Sequence, residues 1–298
     1  MIKKILVPLD GSELSEVTFK YARELAGRFK GLEVVLLHVC HVKHTVAAHR
    51  AYIESLTEKI LHDAKNLMHN ESVSVKGELI IGDPADEILR YVERSNIDLV
   101  LMATHGRSGI SRWAMGSVAY KMIRSVGIPV LLVRAGIENA VLFDQLPERR
   151  LLVALDGTRS AEAIIPHVEA MASQWGKDNV QIILINVCAQ PNVCSDYPSG
   201  VAESWETRIQ QECLKNKLEA GLYLVDIEKR FKEAGYKVIC ETPFGKPSEE
   251  ILRSAAKNRA NLIAMVIHGR SGLRRWAYGD TAEEVMLEAR TPILLVRP

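Results

Sequence analysis

The residues best suited to chemistry lie in a glycine-rich, basic loop that occurs twice, as ATHGRSGISRWAMGS at Ala103–Ser117 and as VIHGRSGLRRWAYGD at Val266–Asp280. Each copy follows a short apolar run and leads into a helical pattern. Backbone N–H groups of such a loop can point at an anion near the positive end of the helix. Gly106, Gly109 and Gly116 allow the close approach and unusual backbone angles that a cradle needs, and Arg107 sets a cation beside them. A surface loop with turn glycines is the other reading of the same residues. His105 and His268 stand next to the glycines, where they either touch the anion or support the loop.

A second group closes the first apolar run: Asp10-Gly11-Ser12, repeated as Asp156-Gly157-Thr158. A carboxylate there can accept hydrogen bonds from a ribose hydroxyl or an adenine amine, or cap the helix that follows. Asp10 and the loop together make a nucleotide the leading ligand. The stretch HVCHVKH at His38–His44 gathers three histidines and Cys40. It lacks zinc spacing, and the second copy reads NVCAQPN, so a strand end is expected there and no metal. The chain has no GxxxxGK[ST] loop and no GxSxG elbow, so no catalytic residue is assigned.

These residues need elements to hold them, and the whole chain repeats in the same order. KKILVPLDGSELSE at Lys3 matches RRLLVALDGTRSAE at Arg149, VVLLHVC at Val34 matches IILINVC at Ile182, and GDPADEILR at Gly82 matches GKPSEEILR at Gly245. IPVLLVR at Ile128 matches TPILLVR at Thr291. Two domains follow, residues 1–136 and 148–298, joined by a linker at 137–147. In the first, apolar runs at Ile5–Leu9, Val34–Val39, Val73–Ile81, Leu99–Ala103 and Val130–Val133 read as strands. Helical stripes separate them. Five strands alternating with four helices call for an α/β fold with a doubly wound parallel sheet, whose ligands sit beyond the carboxyl ends of the strands.

Composition narrows the partners. The 298 residues are 47% hydrophobic and 25% charged, with 38 Lys and Arg against 37 Asp and Glu. That balance supports real cores and leaves no excess charge for nucleic acid or anionic lipid. No run approaches the ~18 apolar residues that span a bilayer. Cys40, Cys188, Cys194, Cys213 and Cys240 are odd in number and unpaired in pattern, which reads as free thiols in a cytoplasmic setting. A longer connection in the second half, AQPNVCSDYPSGVAESWE, is either a lid or docking loop or a solvated excursion.

The strand-end Asp10 and the Gly-x2-Gly-x9-Gly-Ser pattern laid on Ala103, Gly106, Gly116 and Ser117 resemble the universal stress protein family, in tandem and over essentially the full chain. The resemblance implies two adenine nucleotide alpha hydrolase-like domains with strand order 3-2-1-4-5, and ATP with Mg2+ bound mainly in domain 1. Asp10 and the backbone of Val39 would face ribose and adenine, and Gly106, Gly116 and Ser117 would hold phosphates. Ala103 stands where the family pattern has Gly. In the second domain Asp156, Val187, Gly269 and Gly279 remain, while Val266 and Asp280 replace the first Gly and the Ser.

Ser117 and Asp280 are both expected to cap the following helix, yet Asp280 sets a like charge against a phosphate chain. The implied role is a stress-response binding module with at most slow ATP hydrolysis and an unknown protein partner. The last strands would pair antiparallel as an internal pseudo-dimer, with further homodimerisation open. A nucleotide-independent interaction protein and a weak ATPase are the alternatives.

Overall fold

The computed structural model describes residues 1–40, 46–105, 115–134, 148–188, 205–267 and 280–298. The first repeat runs β1 (Lys4–Leu9), α1 (Thr18–Arg28), β2 (Glu33–Cys40), α2 (Val46–His62), β3 (Ser74–Ile81), α3 (Pro84–Arg94), β4 (Leu99–Ala103), α4 (Ser117–Ser125) and β5 (Val130–Val133). The second runs β6 (Arg149–Ala154), α5 (Ile165–Trp175), β7 (Val180–Ile185), α6 (Trp205–Glu233), β8 (Lys237–Glu241), α7 (Pro247–Lys257), β9 (Leu262–Val266), α8 (Asp280–Glu288) and β10 (Ile293–Val296). The proposed linker, Cys194 and most of the longer connection lie outside the described residues.

Among the described residues the strands form a single ten-stranded sheet, ordered β3-β2-β1-β4-β5-β10-β9-β6-β7-β8. Each repeat thus has the order 3-2-1-4-5, parallel throughout, and the two meet where β10 pairs β5 antiparallel. Leu294 lies opposite Leu131, its own counterpart in the other repeat, so the sheet turns about that pair as about a two-fold axis. The expected pseudo-dimer is therefore present. Pairing β5 with β10 covers two apolar strands whose free edges would invite aggregation. Leu131, Leu132, Leu294 and Leu295 are all buried.

The central strands are continuous apolar runs because helices cover both faces of the sheet. Buried residues fall into two clusters, one beneath α1, α2, α5 and α6 and the other beneath α3, α4, α7 and α8, and each draws on both repeats. Helix α3 shows the local logic. Asp83 caps it by accepting from the Asp86 N–H, Pro84 occupies its first turn, and Ala85, Ile88 and Val92 form the buried stripe.

Equivalent residues also meet across the axis. Arg134 donates to the Leu287 carbonyl at the end of α8, and its counterpart Arg297 donates to the Arg124 carbonyl at the end of α4. Each cation thereby satisfies a terminal carbonyl of the opposite repeat, at the negative end of a helix.

Candidate functional site

The strand order reverses between β1 and β4: the chain leaves β1 toward β2 on one side and returns through β4 on the other. The carboxyl ends of these strands diverge, and a cleft of about 290 Å³ opens there. Asp10, Val39, Ala103, His105, Gly116 and Ser117 all line it, with Leu37 and Ile88 as apolar walls. Gly106, Arg107 and Gly109 of the same expected site lie outside the described residues, as do Gly269 and Gly279.

Asp10 is half-buried, and its Oδ1 accepts from the Ser12 N–H at 2.9 Å and the Ser12 hydroxyl at 2.6 Å. Ser12 Oγ in turn accepts from the Ser15 N–H at 3.2 Å. Asp156 repeats this relay through Thr158 at 2.9 and 2.6 Å and the Ala161 N–H at 3.1 Å. In both copies the turn requires a left-handed residue, Gly11 at φ +78° and Gly157 at φ +85°. The carboxylate thus orders its own turn and does not cap the helix directly.

Gly116 holds the far end of the loop. Its N–H donates to the Thr104 carbonyl at 2.8 Å, closing the chain onto the end of β4. A Cβ at Gly116 would lie 3.2 Å from that carbonyl oxygen, a tight contact that glycine avoids. The unusual backbone angle expected at this residue is absent, since φ is −58°. Gly116, not Ser117, is the N-cap of α4, and the cap makes no side-chain hydrogen bond. Ser117 is the first helical residue and Asp280 likewise opens α8, so the expected equivalence of the two as side-chain caps is corrected: what they share is a first-turn position, whose backbone N–H groups have no helical acceptor. Thr104, which the sequence reading passed over, both anchors Gly116 and sets its hydroxyl 2.9 Å from His105 Nδ1. Ile267 stands at its place in the second repeat.

The second cleft is smaller, about 200 Å³, and is lined by Asp156, Val187, Val266 and Thr281 among mainly apolar residues. Val266 occupies the register of Ala103: Ala103 lies opposite Val133 and Val266 opposite Val296. It carries two γ-methyl groups where Ala103 carries none. The helices beyond the loops differ in charge. Helix α4 carries Lys121 and Arg124 and no acid, whereas α8 carries Asp280, Glu283, Glu284 and Glu288 and no base. Ion pairs to the neighbouring helix are reversed to match. Lys121 meets Asp86 at 2.6 Å, and Glu284 meets Lys246 at 2.7 Å. The Lys121 ammonium holds Asp86 below the usual carboxylate range, and Lys246 does the same to Glu284.

The histidine-rich segment contributes elsewhere. His38 is buried, with Nδ1 2.8 Å from the Leu9 carbonyl, which makes that nitrogen a donor, and its ring stacks on His49 at 4.5 Å. His41 and His44 lie outside the described residues. Among the described residues no group of three His, Cys, Asp or Glu is placed to hold a metal ion, and no helix is long and apolar enough to cross a membrane.

Comparison with known proteins gives the same picture of the fold. A universal stress protein MJ0531 of Methanocaldococcus jannaschii is 31% identical over 142 residues, which cover 45% of this chain and 83% of that protein. Universal stress protein Mb2028c of Mycobacterium bovis is 27% identical over 232 residues, 76% of this chain and 70% of its own. The crystal structure of a universal stress protein from Archaeoglobus fulgidus superimposes with a TM-score of 0.62 at 20% identity, covering 100% of this chain and 99% of that one. The sequence model of the universal stress protein family matches twice, at residues 1–134 and 148–297. With both repeats matched, the chain belongs to the universal stress protein family, as two domains in tandem.

Proposed function

We propose that this protein binds an adenine nucleotide, ATP with Mg2+, in the cleft of the first repeat and acts as a regulatory module in stress adaptation. The observation that carries the reading is the convergence of Asp10, Val39, Gly116 and the start of α4 on one cleft, at the point where the strand order reverses. Asp10 meets the ribose hydroxyls, Val39 flanks the base, and the first-turn amides at Ser117 face phosphate. Gly106, Arg107 and Gly109 complete the phosphate side, and His105 supports it.

Ser117 and Ala103 leave the first cleft open to an anion, whereas the charge of Asp280 and the bulk of Val266 disfavour one in the second. Domain 1 is accordingly the nucleotide domain. The site is a binding site with at most slow ATP hydrolysis, since the chain carries neither a GxxxxGK[ST] loop nor a GxSxG elbow. Occupancy presents a changed surface to a protein partner. Free thiols at Cys40, Cys188, Cys213 and Cys240 suit the cytoplasm.

The test is the nucleotide content of the protein, measured by chromatography after denaturation and again after stripping and reloading with ATP and magnesium. A single equivalent per chain, lost in Asp10→Ala and reduced in Ser117→Asp, supports the reading. No nucleotide after reloading overturns it in favour of a nucleotide-independent interaction protein, and two equivalents overturn the preference for domain 1.

A further inference from the structure

Helix α6 has two apolar faces. Ala220, Leu224, Ile227 and Phe231 recur at helical spacing and are buried against the sheet. On the opposite side Leu214, Leu218, Leu222 and Val225 form a second stripe, exposed to 69, 63, 61 and 50%. Nothing in the fold demands it. Its counterpart α2 exposes no large apolar side chain along its length. Three helical turns of bare leucine and valine, spaced by four, four and three residues, have the pattern of a helix that packs on another helix.

The charges beside the stripe identify the occupant. At 100° per residue, Arg208, Lys215, Asp226 and Glu233 fall along one line at its edge. The two cations lie in the N-terminal half of the helix and the two acids in the C-terminal half. A parallel copy would bring unlike flanks together, so this line of charges would face the other edge of its partner and find no matching line there. An antiparallel copy, centred between Ala220 and Gly221, sets Lys215 against Asp226 and Arg208 against Glu233, each twice by symmetry, because like flanks face one another in antiparallel pairs. Gly221 lies at that centre, and a Cβ there would meet no atom within 4 Å. The helices can therefore approach closely where they cross. Within the chain, Lys215 and Glu233 are held only loosely, at 3.8 Å to Glu219 and 3.9 Å to Lys229.

We infer that the outer face of α6 is a homodimer interface, on which a second copy of this chain docks antiparallel through Leu214, Leu218, Leu222 and Val225, with Lys215 paired to the partner's Asp226. The inference stands apart from nucleotide binding, and the contact is remote from the β5–β10 pairing that joins the two repeats. A standard interface engages ~20–30 residues a side. This stripe is smaller, so the dimer is reversible and depends on concentration.

Sedimentation velocity over a wide concentration range, on the full chain, tests it. The wild type shifts from monomer to dimer, and Leu218→Glu abolishes the shift while the circular dichroism spectrum stays unchanged. Lys215→Asp and Asp226→Lys each weaken self-association by about tenfold or more, since two attractive pairs become two repulsive ones. Mixed together, these two variants recover a heterodimer, because each supplies the charge that the other lacks. Three results overturn the proposal: a wild type monomeric at every concentration, which would give the stripe to another protein or to residues 189–204 of the same chain; a dimer indifferent to Leu218→Glu; or charge variants that fail to recover on mixing.

Discussion

Phe29 at the end of α1 and Trp175 at the end of α5 occupy equivalent places in the two repeats, and their rings meet edge to face with centroids 5.5 Å apart. Both are buried, so each repeat completes its own helix layer with an aromatic side chain from the other. Gln174 beside them donates to the Ile2 carbonyl at 2.8 Å. Trp175→Ala removes a large buried ring, and a loss of about 3–5 kcal/mol is expected in urea unfolding. Because the ring belongs to both cores, the two repeats should still unfold together in wild type. Two separated transitions for wild type would contradict the shared core.

A buried ion pair crosses the same boundary. Arg149 opens β6 in the second repeat and donates to Glu24 on α1 of the first, and both side chains are inaccessible to water. Glu24 also meets Arg28 at 3.6 Å, but removing Glu24 takes the carboxylate from a nearly buried Arg149, which costs about 3–5 kcal/mol, whereas replacing both with apolar groups of similar size is close to neutral. Glu24→Leu should therefore destabilise strongly and Glu24→Leu with Arg149→Met much less. Equal losses in chemical denaturation would show that the pair is not coupled.

Much of this arrangement was legible in the sequence. The short continuous apolar runs VVLLHV and IILINV read as buried strands, and the repeat of PVLLVR as PILLVR announced two equivalent last strands. What sequence could not supply were contacts between residues far apart in the chain. Thr104 has no marking beyond following a strand, yet it anchors Gly116 across the loop. Ser117 looked like an N-cap because serine is favoured there, but the tight approach of Gly116 to the Thr104 carbonyl starts the helix one residue earlier. The outer stripe of α6 was hidden because a helix with apolar residues on opposite sides reads as one broad pattern until the sheet shows which side is covered.

Glu241 at the end of β8 gives the fold an acid limit. Burial by itself would raise its carboxyl, but hydrogen bonds from Ser254 at 2.6 Å, Lys257 at 3.0 Å and Asn258 at 3.2 Å outweigh that and leave it below the usual range. A group whose folded value lies below its unfolded value of ~4.3 contributes stability that is complete above that pH and lost as pH falls through the folded value. Glu241→Gln should cost roughly 1–3 kcal/mol at neutral pH. Its difference from wild type should shrink in acid, as read from melting temperatures across the pH range. A constant difference would assign the loss to packing.

The two clefts share their carboxylate and much of their apolar lining, and this makes their preference for an anion open to exchange. Ser117 and Asp280 both open a helix beyond the loop, and a carboxylate at that position opposes a phosphate chain with on the order of 1 kcal/mol in water-like surroundings and more where water is excluded. Val266 adds steric bulk where Ala103 has a single methyl group. If charge and bulk decide, Ser117→Asp should weaken ATP binding to the first cleft about tenfold, with the loss easing as salt rises. Val266→Ala with Asp280→Ser should in turn create a second equivalent of bound ATP in calorimetric titration. The carboxylate relay through Thr158 already stands ready in that cleft, so nothing further need be built on the ribose side. If the double variant still binds a single equivalent, the barrier lies with the remaining acids of α8. Reversing Glu283 and Glu284 to lysine should then be what opens the second cleft, since Tyr120 and Lys121 hold the matching places on α4.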